Sequence, residues 1–315
     1  MQTITLAGSD VTVPALGIGT WSWGDSLYWG YGKDYTADTV RDAFKAAISA
    51  GVNFFDTAEI YGFGESERLL GQFMQEVGQP VLIATKYFPL PWRLGKGAVA
   101  HALTDSLKRL QVASVELYQV HWPFDFFMGQ TTLMDALADE VKQGRIKTVG
   151  VSNYSAEQMK RAHELLAQRG VPLAVNQMQY SLLERKIETN GVMDTARSLG
   201  VTILAYSPLA QGLLTGKYTP NSQANPQGAR KLSPLFGKDG LERLAPKLSL
   251  LQEIGSRYQR TPAQVSLNWL IGQGNVIPIP GAKTASQASQ NAGALDWSLT
   301  VDERAAIDAA FAEKR

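Results

Sequence analysis

Asp56, Tyr61, Lys86 and His121 each stand at the tail of a short apolar run or in the loop just after one. The runs are VNFF before Asp56, VLIAT before Lys86 and VELYQV before His121, and each predicts a buried strand. Polar titratable side chains are expensive to bury, so several at successive strand ends point to one shared site. A tyrosine trades a proton only if its pKa moves down from about 10, and a neighbouring lysine ammonium does that by favouring phenolate. An aspartate holding that lysine, with a histidine facing the same substrate oxygen, completes a device for protonating a carbonyl.

Singly, each residue has a plainer reading. An aspartate after an apolar run often caps a loop, a tyrosine in AEIYGFGES often packs, and a lone lysine is usually a solvated tip. Lys86 at a strand end also suits Schiff-base chemistry of the aldolase kind. His101 and His163 fall within amphipathic helices and read as surface residues. With 3 histidines and no HxH pair, a metal hydrolase is disfavoured.

The elements that must position these groups follow a repeating pattern. TITL, a turn at Gly8 to Asp10 and VTVP predict a small N-terminal β-hairpin. Strands are then expected at 16–20, 52–56, 81–86, 115–121, 146–153, 173–177, 201–207 and 275–281. Helices are expected at 36–50 (opened by Thr36, closed by Gly51), 65–76, 97–110, 131–142, 155–168 (capped by Ser155), 188–199, 241–258, 262–272, 284–293 and 301–313. Continuous β-branched runs indicate strands covered on both faces, hence a parallel sheet. Eight strand–helix units close into a (β/α)8 TIM barrel, with an open doubly wound sheet as the other arrangement. A long connection rich in Gly, Pro, Asn and Ser spans 212–240, after the seventh strand, on the face where barrels keep their sites.

The totals agree. A chain of 315 residues fits one such barrel over 1–315, and no linker or low-complexity tract divides it. Hydrophobic residues make up 44% and charged ones 19%, ample for a large core. A net charge of +1 gives no bulk attraction to nucleic acid or to an anionic membrane. The absence of cysteine removes disulfides and thiolate chemistry. MQTITLAGSD carries no secretory signature and no run reaches membrane-spanning length, so the expectation is a soluble, cytoplasmic protein.

Jointly, DTAEIYGFGESERLLG (56–71), TK (85–86) and LYQVHWP (117–123) resemble the aldo-keto reductase superfamily, and the spacing of the four residues agrees. GRIKTVGVSNYS (144–155), NQMQYSLLER (176–185), ILAYSPLAQGLLTGKY (203–218) and IPIPGAKTASQASQNAGAL (277–295) resemble later segments of that family, so the likeness covers nearly the whole chain. It is most similar to the long-loop branch shared with bacterial reductases and potassium-channel β-subunits. The resemblance implies a (β/α)8 barrel and a nicotinamide dinucleotide, usually NADPH with NADH as the other choice, bound without a Rossmann domain. GIG at 17–19 lacks the third glycine and later acid of a Rossmann fingerprint.

By the same resemblance Tyr61 is the general acid, Lys86 lowers its pKa, Asp56 holds Lys86, and His121 orients the substrate carbonyl. Ser152, Asn153 and Gln177 would meet the carboxamide, Tyr206 would stack on the nicotinamide, and Trp21 would adjoin the cofactor. Ser207, Pro208, Leu209, Gln211, Gly212 and Leu213 lead into the loop that folds over the pyrophosphate in this branch. Gly281, Lys283 and Thr284 open a helix suited to the 2′-phosphate, followed by Gln287, Gln290 and Asn291. Gln287 departs from the family, where an arginine is frequent, and Gln290 replaces a frequent glutamate. Arg230 and Lys231 are further cations in the long loop. Trp23, Tyr28, Trp29, Tyr87, Trp92 and Trp122 are expected to line the substrate mouth, favouring an apolar or aromatic aldehyde or ketone. Plugging of the barrel top by packed aromatics is the competing reading, and Arg93 is open to either an anion or a salt bridge. The remaining alternative is a nicotinamide-sensing subunit with slow turnover. A homo-oligomer is compatible with the sequence.

Overall fold

In the computed structural model, residues 2–124, 128–220, 226 and 233–312 are described. Arg230, Lys231 and residues 125–127 lie outside them. The hairpin pairs β1 (Thr3–Thr5) with β2 (Thr12–Pro14) antiparallel, Ile4 opposite Val13. Eight strands then form one parallel sheet in sequence order. They are β3 (Ile18–Gly19), β4 (Phe54–Asp56), β5 (Leu82–Tyr87), β6 (Val115–Val120), β7 (Ile146–Ser152), β8 (Leu173–Gln179), β9 (Thr202–Tyr206) and β10 (Val276–Pro278).

The sheet closes on itself. Gly19 bridges Gly281 in parallel, while Gly17 N donates to Pro278 O and Gly19 N to Pro280 O, each at 3.0 Å. This seam explains the glycines of GIG. A Cβ at Gly17 would lie 2.7 Å from the Phe54 ring and one at Gly19 would lie 2.8 Å from Ile279 O. Close strand approach, and not a dinucleotide turn, requires them.

The helices α1 (Ala37–Ser49), α2 (Glu65–Val77), α3 (Lys96–Leu110), α4 (Gln130–Lys142), α5 (Ala156–Ala167), α6 (Val192–Leu199), α7 (Lys238–Arg257), α8 (Pro262–Ile271), α9 (Ala285–Ala292) and α10 (Val301–Phe311) follow the expected units. Ser155 caps α5, its hydroxyl accepting from Gln158 N, and the Gln158 side chain returns a bond to Ser155 N. The unit expected at 188–199 is shorter, because Gly191 at φ +83° separates a 3-10 turn at Lys186–Glu188 from α6.

Two apolar clusters hold the fold. The larger lies between strands and helices, around Phe44, Phe55, Phe73, Leu137 and Trp269. The smaller fills the barrel interior, where Leu6, Val11 and Val13 of the hairpin region meet Phe54, Ala84, Leu117, Val175, Leu204 and Ile277. The hairpin therefore plugs the interior with apolar side chains. Polar inward groups are gathered at the opposite, C-terminal ends of the strands. No described helix is long and apolar enough to cross a membrane.

Candidate active site

Asp56 ends β4 and Lys86 lies one residue from the end of β5, so the closed sheet brings both to one mouth. The Lys86 ammonium donates to Asp56 Oδ2 at 2.6 Å, to Thr57 O at 2.7 Å and to the Tyr61 hydroxyl at 3.4 Å. Tyr61 opens the 3-10 turn Tyr61–Gly64, whose next three residues all take left-handed backbone: Gly62 (φ 55°), Phe63 (φ 55°) and Gly64 (φ 86°). Gly62 is obligatory here, since a Cβ would meet Gly24 O at 2.6 Å. Hydroxyls tie this floor together: Thr20 bonds Ser66 at 2.7 Å and Thr57 bonds Ser66 at 3.0 Å. Thr20 also donates to Asp56 O at 3.0 Å.

His121 follows β6, and its ring meets Tyr61 edge to face at 5.6 Å between centroids. Phe88 flanks its other side at the same separation. His121 Nδ1 is buried and meets no protein partner. Burial, helped by the Lys86 charge, pushes the imidazole pKa down to about 3, so the ring is neutral. The four expected catalytic residues thus converge.

One electrostatic expectation is corrected. Burial, followed by the Asp56 carboxylate, pushes the Tyr61 phenol well above 10, not below it. Burial disfavours the phenolate and the Asp56 carboxylate adds negative charge nearby, so the resting phenol keeps its proton. Burial also pulls the Lys86 pKa down, against the opposing pull of Asp56. Lys86 is fully enclosed and does not line the cavity, so it is poorly placed as a Schiff-base nucleophile.

A cavity of about 940 Å³ opens from this group. Ser152, Asn153, Gln177 and Tyr206 line it from β7, β8 and β9, and Ser207, Pro208, Leu209, Gln211 and Gly212 continue the wall. Ser152 donates to Gln177 O at 3.0 Å, and the Tyr206 hydroxyl donates to Asn153 Oδ1 at 3.0 Å. Asn153 and, within 207–211, Ser207, Ala210 and Gln211 hold positive φ (62°, 51°, 47° and 56°), strained non-glycine positions of which Asn153, Ser207 and Gln211 line the cavity. Gly281, Lys283, Gln287, Gln290 and Asn291 also line it. Lys283 Nζ donates to Trp29 O at 3.0 Å and sits 4.2 Å from the centre of the Tyr35 ring. Its backbone N–H donates to Gln287 Oε1 at 2.7 Å.

Several expected positions lie elsewhere. Trp23 is 0% exposed, packs on Phe55 and Phe73 and donates its indole N–H to Ala282 O at 2.8 Å, so it is core. Tyr87 is buried beneath the Arg93 guanidinium, 5.2 Å from its ring, and does not reach the cavity. Trp92 is 74% exposed and lies outside the cavity wall. Leu213 is buried in the larger apolar cluster. Thr284 caps α9 by accepting from Gln287 N. Tyr28 stands behind the wall, stacked on Trp21 at 4.9 Å, its hydroxyl donating to Gln211 Oε1 at 3.3 Å. Arg93 is committed to Glu59, a salt bridge and not an anion site. His163 is only partly exposed, and its buried Nδ1 meets no partner, so it is less superficial than expected.

Trp21, Trp29 and Trp122 do line the cavity, joined by Ile60, Phe88, Gln179, Lys217 and Tyr218, which the sequence reading left out. Phe88 follows Lys86 within the aromatic YFPLPWR segment and carried a usable signal. Lys217 and Tyr218 close the ILAYSPLAQGLLTGKY segment and carried one too. Ile60 and Gln179 carry none.

Known proteins resemble this chain in sequence and in fold. The profile of the aldo/keto reductase family matches residues 15–312. A chloroplastic pyridoxal reductase from Arabidopsis thaliana is 39% identical over 315 residues, covering 96% of this chain and 84% of that one. An NADH-specific methylglyoxal reductase from Escherichia coli is 29% identical, covering 95% of each chain. Among solved structures, a glycerol dehydrogenase from Gluconobacter oxydans superposes with a TM-score of 0.86 at 30% identity, covering 98% of this chain and 94% of that one. An aldo/keto reductase from Klebsiella pneumoniae, solved with NADP and acetate, gives 0.76 at 28% identity, covering 98% and 95%.

Proposed function

The chain belongs to the aldo/keto reductase family and is an oxidoreductase, and from that premise we propose that it reduces aldehydes or ketones to alcohols with NADPH, Tyr61 supplying the proton. The observation that carries this reading is the contact of the Lys86 ammonium with both Asp56 and the Tyr61 hydroxyl.

The cavity suits a nicotinamide dinucleotide. Its size exceeds what a small carbonyl compound alone needs. Gln177 commits its amide nitrogen inward, to Asp56 Oδ1 at 2.8 Å, which leaves its oxygen as an acceptor for a carboxamide N–H. Tyr206 offers a ring face, the 207–212 segment a concave backbone, and Lys283 a cation. NADPH, when bound, supplies the hydride. NADH is the second choice, as in the Escherichia coli relative.

Tyr61 holds its proton at rest because burial disfavours the phenolate. As negative charge develops on the carbonyl oxygen, the proton passes from the Tyr61 hydroxyl to that oxygen. The Lys86 ammonium then stabilises the phenolate left behind, through a bond already in place. His121, being neutral, can orient the carbonyl without competing as an acid.

Trp21, Phe88 and Trp122 wall the space beside Tyr61 and His121, and Ile60 adds apolar surface. The charged residues among the described lining are Asp25, Asp34, Asp56, Lys217 and Lys283, none of them on the Phe88 and Trp122 wall. An uncharged, flat aldehyde fits this surface better than a sugar phosphate. Pyridoxal, the substrate named for the Arabidopsis relative, is one such aldehyde. The test follows NADPH absorbance with benzaldehyde, pyridoxal and glyceraldehyde 3-phosphate. Oxidation with the first two and little with the third is expected. No oxidation with any aldehyde or ketone would remove the proposal.

A further inference from the structure

Inside the barrel two glutamine amides share one carboxylate oxygen. Asp56 Oδ1 accepts from Gln177 Nε2 at 2.8 Å and from Gln119 Nε2 at 3.1 Å. Gln177 Nε2 also donates to Gln119 Oε1 at 3.2 Å. Gln177 lines the cavity, whereas Gln119 is fully buried behind it. A buried amide in the apolar run VELYQV is costly unless its bonds are needed. The neighbouring strand makes room for it. Gly150 stands opposite Gln119, and a Cβ there would lie 2.8 Å from Gln119 Cγ and 3.1 Å from Leu117 Cδ1.

The bonding also decides which way Gln177 points. Its two amide hydrogens are taken by Asp56 and by Gln119 Oε1, so only its oxygen is left for a bound group. Without the Gln119 oxygen the amide loses its second inward acceptor and is held by Asp56 alone. Without the Gln119 N–H the Asp56 carboxylate loses one of the bonds that aim its other oxygen at Lys86.

We propose that Gln119 is a positioning residue that locks the Gln177 amide and the Asp56 carboxylate together, so that recognition of the nicotinamide carboxamide is mechanically linked to the Asp56–Lys86–Tyr61 proton donor. This rests on the cofactor reading given above. It assigns to Gln119 a role that packing alone does not require, since leucine has comparable volume and the neighbouring strand already makes room at Gly150.

The experiment compares wild type, Gln119→Leu and Gln119→Glu by fluorescence titration with NADPH and by the pH profile of kcat. Gln119→Leu removes both bonds and is expected to raise the NADPH Kd roughly tenfold and lower kcat at every pH. In Gln119→Glu, burial and the adjacent Asp56 raise the pKa of the new carboxyl. While protonated it donates to Asp56 and accepts from Gln177, so the variant should bind NADPH almost as wild type does at low pH. Its affinity should then fall relative to wild type as the carboxyl ionises. Gln119→Leu with Kd and kcat within about twofold of wild type and the same pH profile would overturn the proposal. Should Gln119→Leu fail to fold, Gln119→Glu decides alone: an NADPH Kd equal to that of wild type at every pH overturns it. Wild-type protein that binds neither NADPH nor NADH would remove the cofactor reading and this inference together, an outcome distinct from indifferent variants of a binding protein.

Discussion

The Lys86 ammonium donates to the Tyr61 hydroxyl oxygen at 3.4 Å, which leaves the phenol's own hydrogen to point into the cavity. The same ammonium is 5.0 Å from the centre of the Tyr61 ring, so it flanks the ring as well as the oxygen. The contact is looser than the 2.6 Å bond to Asp56, as expected while the phenol is neutral and the carboxylate charged.

Tyr61→Phe keeps the ring and removes the proton. The expected loss in kcat/KM is about a thousandfold, the scale of a positioned general acid, with the NADPH Kd within about threefold of wild type. Turnover within about tenfold of wild type would take Tyr61 out of that role.

The Asp56–Lys86 pair has no solvent to replace a lost partner. Lys86→Met leaves a carboxylate buried without its cation and is expected to cost about 3–5 kcal/mol of stability, besides abolishing reduction. Asp56→Asn leaves the ammonium unpaired, although Thr57 O still accepts from it. The double variant Asp56→Asn/Lys86→Met should be less destabilised than the sum of the singles. Additive losses in denaturant melts would mean that the two charges do not support each other.

Much of this site was legible because strand ends are written in short apolar runs followed by a polar residue. Asp56, Lys86 and His121 follow that rule, and the closed parallel sheet brings their ends together. The aromatic positions were less legible. Trp23, Trp29 and Trp92 sit in equally aromatic loops, yet one is core, one lines the cavity and one faces solvent. Which way each points depends on partners far along the chain, as with Trp23 and Ala282 O. The sign of the Tyr61 shift was hidden for a related reason. Proximity of a lysine is readable from spacing, but the burial that disfavours the phenolate, with the Asp56 charge added to it, is a property of the packed site.

His121 links stability to pH. Its folded-state pKa is depressed to about 3 from an unfolded value of 6.5, chiefly by burial. Between those values the unfolded chain binds a proton that the folded chain refuses. The contribution is therefore fully present above pH 6.5 and is lost as pH falls toward 3, at a limiting slope of about 1.4 kcal/mol per pH unit. Replacing the imidazole by a group that does not titrate, in His121→Asn, should flatten the stability curve in that window. Denaturant melts from pH 7 down to about 5 check it, and parallel curves for the two proteins would refute the assignment.

Replacing Lys283 tests the proposed seat of the 2′-phosphate. Its ammonium rests on Trp29 O and over the Trp29 and Tyr35 rings, and the neighbouring Gln287, which accepts from Lys283 N, adds no charge. Asp25 and Asp34 line the same cavity, which lowers the local potential for an added phosphate. The proposed cofactor reading puts much of any preference for NADPH on Lys283. Lys283→Ala is expected to raise the NADPH Kd roughly tenfold while changing the NADH Kd by less than about twofold, because only NADPH carries the 2′-phosphate. The gap between the two should narrow as salt is added, since a partly exposed ion pair is screened over about 8 Å at physiological ionic strength. Equal losses for both dinucleotides would place the phosphate elsewhere, and the remaining lining cation, Lys217, would be the next residue to replace.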